Sequence, residues 1–326
     1  MVAENSYVTR PGLVRLGISS CLLGEEVRYN GGHVKDDFLV NTLGQYVQWV
    51  PVCPEVEMGM GVPRENVRLV GDAEDPRLVA PKSGTDHTDM MKKWAGQRLL
   101  ELEGMDLHGY ILKKDSPSCG LFRTKVYGGV AAPSRNGRGL FARELVNKFP
   151  MLPLEEEGRL RDPKLRENFI GRVFAYQRLL RLISNGPKAK NLIEFHASHK
   201  LSIMAHNPQG QKELGQLVAE AGRVAIDDLT AEYGRIFMET LGQIATNRKH
   251  ANVLQHLMGY LKKYLDIADK GEMAELINQY RQGFLPLVVP LTLLRHHLNR
   301  HPVPEWVNQQ TYLNPYPQEL MLRNHV

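Results

Sequence analysis

The sequence has no long hydrophobic run. Its longest apolar stretch, Leu285–Leu294, is interrupted by two prolines and is too short to span a bilayer as a helix. The first 20 residues carry Glu4, Arg10 and Arg15 and have no apolar core, which argues against a signal peptide. We therefore expect a cytoplasmic protein with no membrane partner.

Cysteine is also scarce, with three residues in a chain of 326. Disulfides are rare in the cytoplasm, and an odd number of cysteines cannot all be paired within one chain. The count therefore argues against a disulfide framework and against a disulfide-linked partner. Free thiols, metal ligation and nucleophilic catalysis remain as roles for these cysteines.

The excess of basic residues lies mainly in the second half of the chain. The net charge is +5, and residues 158–326 carry 22 Lys and Arg against 15 Asp and Glu, with nine of the 12 histidines. A basic region of this kind can attract a polyanion such as RNA. A solvated helical surface would have a similar composition, so charge alone leaves both interpretations open.

The first half has the pattern of a parallel α/β sheet. Short apolar runs at Val14–Ser19, Tyr46–Val52 and Gly109–Lys113 predict buried strands. Thr88–Met105 has helical periodicity and lies between the second and third of them. Strand, helix and strand in this order predict a Rossmann-like, mostly parallel sheet, in which ligands bind at the carboxyl ends of the strands.

The second half has the pattern of an all-α domain. The segment Met151–Asp162 combines proline, glycine and charge, as is typical of a junction. Asp227, Thr246 or Asn247, and Asp269 are candidate N-caps. The predicted helices cover 163–183, 187–206, 210–221, 225–245, 248–265, 270–282 and 290–300.

Each cysteine is set among Gly, Pro or Ser, just beyond a predicted strand. Cys21 lies in SSCLLG, Cys53 in VCPEV and Cys119 in KKDSPSCG. Such loops allow close approach of the backbone to a ligand and leave N–H groups to bond sulfur or an anion. The positions predict one shared site, although three unrelated buried thiols would be the ordinary interpretation of isolated cysteines.

Several chemistries fit three thiols. A zinc site would need a fourth ligand, for which His33 and His87 are candidates. A single cysteine activated by histidine could act as a nucleophile. An iron–sulfur cluster held by three thiolates would leave one iron open as a Lewis acid, to which soft sulfur is a suitable ligand.

Three polar residues near the cysteines are candidates for catalysis. Glu55 follows Cys53 by two residues and could act as an acid or a base, or simply pair with Arg64 or Arg28. Ser116 and Ser118 flank a proline just before Cys119 and could bond substrate or merely shape a turn.

These motifs together resemble the thiouracil desulfidase (TudS) family. The resemblance is carried by SSCLLG with VRYNG, VCPEV with GMGVPR, and KKDSPSCG, over roughly residues 12–150. The second half is similar to the YbgA-like helical domain, with HANVLQHLMGYLKK and YRQGFLPLVVPLTLLRHHL as its marks. The implied domains are a catalytic iron–sulfur domain at 1–155 and a helical, RNA-binding domain at 156–326.

The resemblance also implies a cofactor and a reaction. Cys21, Cys53 and Cys119 would hold a 4Fe–4S cluster, and Glu55 with a serine, Ser116 in preference to Ser118, would be catalytic. In this order the two domains resemble bacterial desulfidases that convert 4-thiouridine in tRNA to uridine. The open iron would take the thiocarbonyl sulfur, which would leave as hydrogen sulfide without net redox change.

Three alternatives stay open at this point. The substrate could be free thiouracil or thiouridine, with a helical half that only stabilises the enzyme. The protein could be a non-enzymatic iron–sulfur regulator that binds RNA. It could also be a zinc protein.

Overall fold

The computed structural model describes residues 13–128 and 132–326. The chain forms two compact units, one that ends at Leu160 and one that runs from Arg161 to Val326. The expectation concerning Glu4 and Arg10 lies outside the described residues. Within the described ranges, no helix is both long enough and apolar enough to cross a membrane.

The first unit has a parallel sheet and a second, mixed sheet. In chain order the described strands are β1 Val14–Ser19, β2 Val47–Val52, β3 Arg68–Gly71, β4 Pro76–Val79, β5 Gly109–Leu112, β6 Thr124–Tyr127, β7 Ser134–Gly137 and β8 Leu154–Glu156. The parallel sheet has the order β2-β1-β5-β8. This arrangement confirms the predicted α/β class.

The mixed sheet has the order β4-β3-β6-β7 and was not predicted from the sequence. Its strand β3 pairs in parallel with β6, and the outer pairs are antiparallel. Each strand has only four residues, too few for an alternating pattern to stand out. Its buried side chains include Leu69, Leu78 and Val126.

Helices of the first unit are α1 Pro54–Glu57, α2 Thr88–Glu103 and α3 Leu140–Lys148. Phe141 of α3 contacts Trp94 of α2 and Tyr110 of β5, with ring centroids 5.4 and 5.9 Å apart. Tyr110 lies over Gly17 of β1, where the Cβ of any larger residue would collide with the Tyr110 ring. Gly17 therefore allows the helical layer to pack on the centre of the sheet.

The second unit is helical, as predicted. Its helices are α4 Pro163–Ser184, α5 Ala189–His206, α6 Pro208–Ala219, α7 Ile226–Gly242, α8 Asn247–Leu261, α9 Ile267–Gln282, α10 Val288–Arg300 and α11 Glu305–Asn308. A core of buried apolar side chains includes Leu201, Leu254, Leu257, Ile277 and Leu294. The leucine stripe of the HANVLQHLMGYLKK segment thus faces this core.

Two of the predicted N-caps are wrong. Asp227 lies inside the first turn of α7, whose N-cap is Ala225. Asp269 likewise lies in the first turn of α9, and its backbone N–H donates to the side chain of the true cap, Asp266. Thr246 does cap α8 by accepting a hydrogen bond from the Lys249 N–H.

Candidate active site

The three cysteines lie around one cavity at the carboxyl edge of the parallel sheet. Cys21 follows β1, Cys53 follows β2 and Cys119 lies in the loop after β5. All three line a cavity of about 350 Å³. Parallel strands place their carboxyl ends at one edge, which is why residues so far apart in sequence meet here.

Burial keeps these thiols from ionising readily. It raises the pKa of Cys21 to about 12 and raises that of Cys119 well above its usual value. Cys53 raises the pKa of Cys21 further, and both Cys53 and Cys21 raise that of Cys119. Lys113 and Arg28 act in the opposite direction on Cys21. Two buried thiols and one half-buried thiol, all with raised pKa values, are a donor set that suits a positively charged metal group, which deprotonates its ligands on binding.

Backbone groups surround the Cys53 sulfur. Burial raises its pKa, whereas hydrogen bonds from the N–H groups of Val56 and Glu55 lower it. The thiol donates to the carbonyl oxygen of Val27 at 3.7 Å. The backbone N–H donors of Val56 and Glu55 stabilise a thiolate and would tune a cluster bound to it.

Glu55 is fixed in the cavity wall by two partners. Arg64 donates to its Oε2 from Nε at 3.0 Å and from Nη2 at 2.5 Å. Ser118 donates from Oγ to its Oε1 at 2.8 Å. The Glu55 side chain is 15% exposed and lines the cavity, so this carboxylate can reach a bound ligand in a single orientation.

The two candidate serines have different environments. Ser118 is fully buried behind Glu55. Ser116 lines the cavity, and its Oγ accepts hydrogen bonds from the N–H groups of Ser118 and Cys119 at 3.2 and 3.1 Å. A hydroxyl that accepts two bonds keeps its own proton to donate. Ser116 is therefore the serine placed to contact a ligand, and Ser118 is placed to orient Glu55.

Two carboxylates at the end of β8 belong to the site, although the sequence motifs gave no sign of it. Glu156 accepts hydrogen bonds from the N–H groups of Leu121 and Phe122 at 2.8 and 3.0 Å. Glu157 pairs with Lys113 and accepts from the Lys114 N–H at 2.7 Å. The acidic run at the predicted junction thus holds both ends of the loop that carries Cys119.

Ser19 is a further site residue that the sequence did not reveal. Its Oγ accepts from the Lys113 N–H at 3.0 Å, and its hydrogen bond to Cys119 lowers the pKa of that thiol. Its position as the last residue of β1, at the start of the SSCLLG motif, was the available signal.

Gly139 allows the start of α3 to pack against the Cys119 loop. A Cβ at this position would lie 2.5 Å from the backbone of Ser118 and 2.9 Å from the Cys119 nitrogen. The Gly139 N–H donates to the Gly120 carbonyl at 2.7 Å, and the Ala142 N–H donates to the Ser118 carbonyl at 3.2 Å. Close backbone contact therefore fixes the position of Cys119.

Neither histidine considered as a zinc ligand reaches the cavity. His33 is exposed, and its Nδ1 accepts from the Lys35 N–H. His87 is the N-cap residue of α2, and neither lines the cysteine cavity. Among residues 13–128 and 132–326, no three His, Cys, Asp or Glu side chains converge as ligands of a single metal ion.

Comparisons with known proteins match each unit separately. The model of the 2-thiouracil desulfurase family matches residues 16–157, and that of a protein family of unknown function, DUF1722, matches residues 200–317. The uncharacterized protein YbgA of Escherichia coli K12 is 32% identical over 154 residues, which are 47% of this chain and 90% of YbgA. The uncharacterized protein YbbK of Bacillus subtilis 168 is 33% identical over 108 residues, which are 32% of this chain and 71% of YbbK.

One solved structure is also similar to part of the chain. It is a [4Fe-4S]-dependent thiouracil desulfidase, TudS, with 28% identity and a TM-score of 0.38 over 45% of this chain and 93% of that one. The two family models and the match to YbgA agree with the resemblance of the cysteine motifs and of the helical segments. The chain belongs to the 2-thiouracil desulfurase family through its first unit and to the YbgA-like DUF1722 family through its second.

Proposed function

We propose that this protein is an iron–sulfur-dependent desulfidase that converts 4-thiouridine in tRNA to uridine and releases hydrogen sulfide. The observation that carries the proposal is the meeting of Cys21, Cys53 and Cys119 around one cavity, with Glu55 in its wall. Membership of the 2-thiouracil desulfurase family supports the class of reaction, and the [4Fe-4S]-dependent relative supports the cofactor.

The donor set fits an iron–sulfur cluster. Cys21, Cys53 and Cys119 would hold it, and because each thiolate of a cluster binds a different iron, the three need not converge on one point. Lys113 and Arg28 lie close enough to Cys21 to lower its pKa and would offset the negative charge of a thiolate-bound group. When bound, the cluster supplies one iron with an open position, a Lewis acid suited to a thiocarbonyl sulfur.

The chain's own residues would activate water. Glu55, held by Arg64 and Ser118, accepts a proton from a water molecule as its oxygen bonds to the thiolated ring carbon. Ser116, whose Oγ accepts two backbone hydrogen bonds, donates a hydrogen bond from its hydroxyl to the substrate and keeps its proton. The carbon–sulfur bond then breaks, and the sulfur leaves as hydrogen sulfide with the two protons of water. Oxygen replaces sulfur, so no electron donor is needed and the reaction is a hydrolysis.

The tRNA substrate is supported by charge. The segment 158–326 carries 22 Lys and Arg against 15 Asp and Glu, and a basic region adds affinity for phosphates that weakens with salt. The base would leave its stack to enter the cavity, as other base-modifying enzymes require. A desulfidase of the free base is the second candidate, which the name of the 2-thiouracil desulfurase family favours.

Turnover by the anaerobically loaded full chain tests these candidates. The substrates are tRNA that contains 4-thiouridine, 4-thiouridine nucleoside and free 2-thiouracil, with sulfide release and loss of near-ultraviolet absorption as readouts. We expect kcat/KM for tRNA to exceed that for the nucleoside by about 100-fold or more and to fall as salt rises. Equal values without salt dependence would favour the free base. A loaded protein that turns over none of them would favour a non-enzymatic regulator.

A further inference from the structure

A second cavity adjoins the cysteine cavity within the first unit. It has a volume of about 360 Å³ and shares Asn66, Val67, Asp115 and Pro117 with the first. A substrate that reaches the cysteines therefore lies next to the second cavity. Its remaining side chains come mainly from the strands of the mixed sheet.

Side chains that alternate in direction along each strand place the buried and the exposed residues on opposite faces of the mixed sheet. Leu69 of β3 pairs with Val126 of β6, and both are buried. The neighbouring residues Arg68 and Lys125 are exposed, and Tyr127 is half-buried. Because successive side chains of a strand point to opposite faces, these three share the solvent-facing side.

These side chains form a basic and aromatic surface. The Arg68 guanidinium lies over the Tyr127 ring, 4.9 Å from its centroid. Arg135 of β7 also lines the cavity. We call the set Arg68, Lys125, Tyr127 and Arg135 the basic sheet face.

The charge of the basic sheet face is only partly balanced. Asp115 is the one carboxylate among the described residues that line this cavity, and it pairs with Arg135 at 3.8 Å. In the described parts of the chain, no carboxylate forms an ion pair with Arg68 or Lys125. Two cations beside an aromatic ring thus remain available to a ligand that carries negative charge.

We infer that the basic sheet face binds the phosphates and a neighbouring base of a polynucleotide whose thiolated base enters the cysteine cavity. Arg and Lys hold backbone phosphates, and an aromatic ring next to a basic groove stacks bases of a single-stranded or splayed segment. The inference rests on the proposed function and deepens it, since it assigns the recognition of the substrate chain to residues of the desulfidase unit itself.

The test is binding and turnover by the full chain and its variants. Fluorescence anisotropy with a labelled single-stranded oligonucleotide that contains 4-thiouridine measures Kd at several salt concentrations. Sulfide release from 4-thiouridine nucleoside measures the catalytic site alone. The variants are Arg68→Ala with Lys125→Ala, and Tyr127→Ala. The matched control is Lys93→Ala, which removes an exposed lysine from α2.

We expect the double variant to weaken oligonucleotide binding by about 10-fold or more and to reduce the slope of log K against log salt by about 1.4, the value for two lost phosphate contacts. Tyr127→Ala should weaken binding by about 10-fold through lost stacking, with the slope unchanged. Nucleoside turnover should equal that of the wild type in both variants, and Lys93→Ala should change neither quantity.

Wild-type affinity and slope in both variants would overturn the inference, as would an equal loss of nucleoside turnover. Poly-glutamate that binds as tightly as the oligonucleotide, and loses affinity in the same variants, would also overturn it and assign the surface to an acidic protein. If the loaded wild type releases sulfide from no thiolated compound while the variants still weaken oligonucleotide binding, the proposed function fails, and the assignment of the basic sheet face to polynucleotide binding stands.

Discussion

At the scale of single residues, the site combines buried thiols with a fixed carboxylate. The cysteines and Glu55 could be chosen from the sequence because their motifs place Gly, Pro and Ser after predicted strands. The hydrogen bond from Ser118 to Glu55 could not be foreseen, since it joins two residues 63 positions apart in the sequence. Which serine faces the cavity depends on the fold of the Cys119 loop, not on its composition.

A double-mutant cycle tests the coupling of Glu55 and Ser118. Glu55→Gln should lower kcat by about 10²- to 10⁴-fold with iron and sulfide content unchanged, because the general base is lost. Ser118→Ala should lower kcat by roughly 10-fold, since the carboxylate loses one of its two partners. The double variant should be no slower than Glu55→Gln alone, because Ser118 acts through Glu55.

The control for this cycle is Glu26→Gln, which changes an exposed glutamate near the Cys21 motif and should leave turnover unaltered. Additive losses in the double variant would show that Ser118 acts independently of Glu55.

At the scale of elements, the loop of Cys119 is held in place by the end of β8 and the start of α3. The sequence predicted the strands and long helices well because their apolar periodicity is local. It did not predict that the acidic run would bind the loop, because a charge run between domains also suits an exposed linker. The misplaced caps Asp227 and Asp269 have a similar origin: an acidic residue is favourable both at the N-cap and in the first turn.

Glu156 should contribute to the stability of the first unit. It is 2% exposed, and burial raises its pKa. Glu156→Ala would leave the N–H groups of Leu121 and Phe122 without their acceptor, at a cost of about 2–4 kcal/mol. Urea unfolding of the full chain measures this loss, and iron content should fall with it.

The matched variant for this position is Glu156→Gln, which keeps an acceptor oxygen at the same place and should stay within about 1 kcal/mol of the wild type. Equal stability of Glu156→Ala and the wild type would show that the loop is held by its other contacts.

At the scale of the whole molecule, each unit has its own hydrophobic core and its own buried polar side chains. The sequence predicted the α/β class and the helical second half, because both patterns extend over many residues. It missed the mixed sheet, whose four-residue strands carry Gly, Arg and Asn. The apolar face of that sheet is buried within the folded unit, and its other face carries the basic and aromatic residues proposed to bind RNA.

Buried histidines should make the helical unit sensitive to acid. Burial lowers the pKa of His199 to about 3 and that of His196 to about 4. The unfolded chain binds protons near pH 6.5, so these residues contribute stability above that pH, and it is lost as pH falls toward their folded pKa values. Each of these two histidines should lower the free energy of unfolding by about 2 kcal/mol between about pH 7 and about pH 5.

His199→Phe separates this effect from general acid denaturation. The ring of His199 stacks on Phe195 with centroids 4.1 Å apart, and phenylalanine preserves that stacking. Urea unfolding at about pH 7 and about pH 5, followed by circular dichroism, should show a pH dependence smaller by about 2 kcal/mol than in the wild type. His256→Phe, at an exposed position, should keep the wild-type dependence, and the same dependence in both variants would refute the assignment.

The central claim is that Cys21, Cys53 and Cys119 together hold one iron–sulfur cluster. Anaerobic purification followed by counting of iron and sulfide tests it most directly. The wild type should contain about four of each per chain, and Cys21→Ala, Cys53→Ala and Cys119→Ala should each lose most of both, whereas Ser83→Ala should lose none. Full iron and sulfide in all three cysteine variants, or zinc without iron in the wild type, would contradict the account.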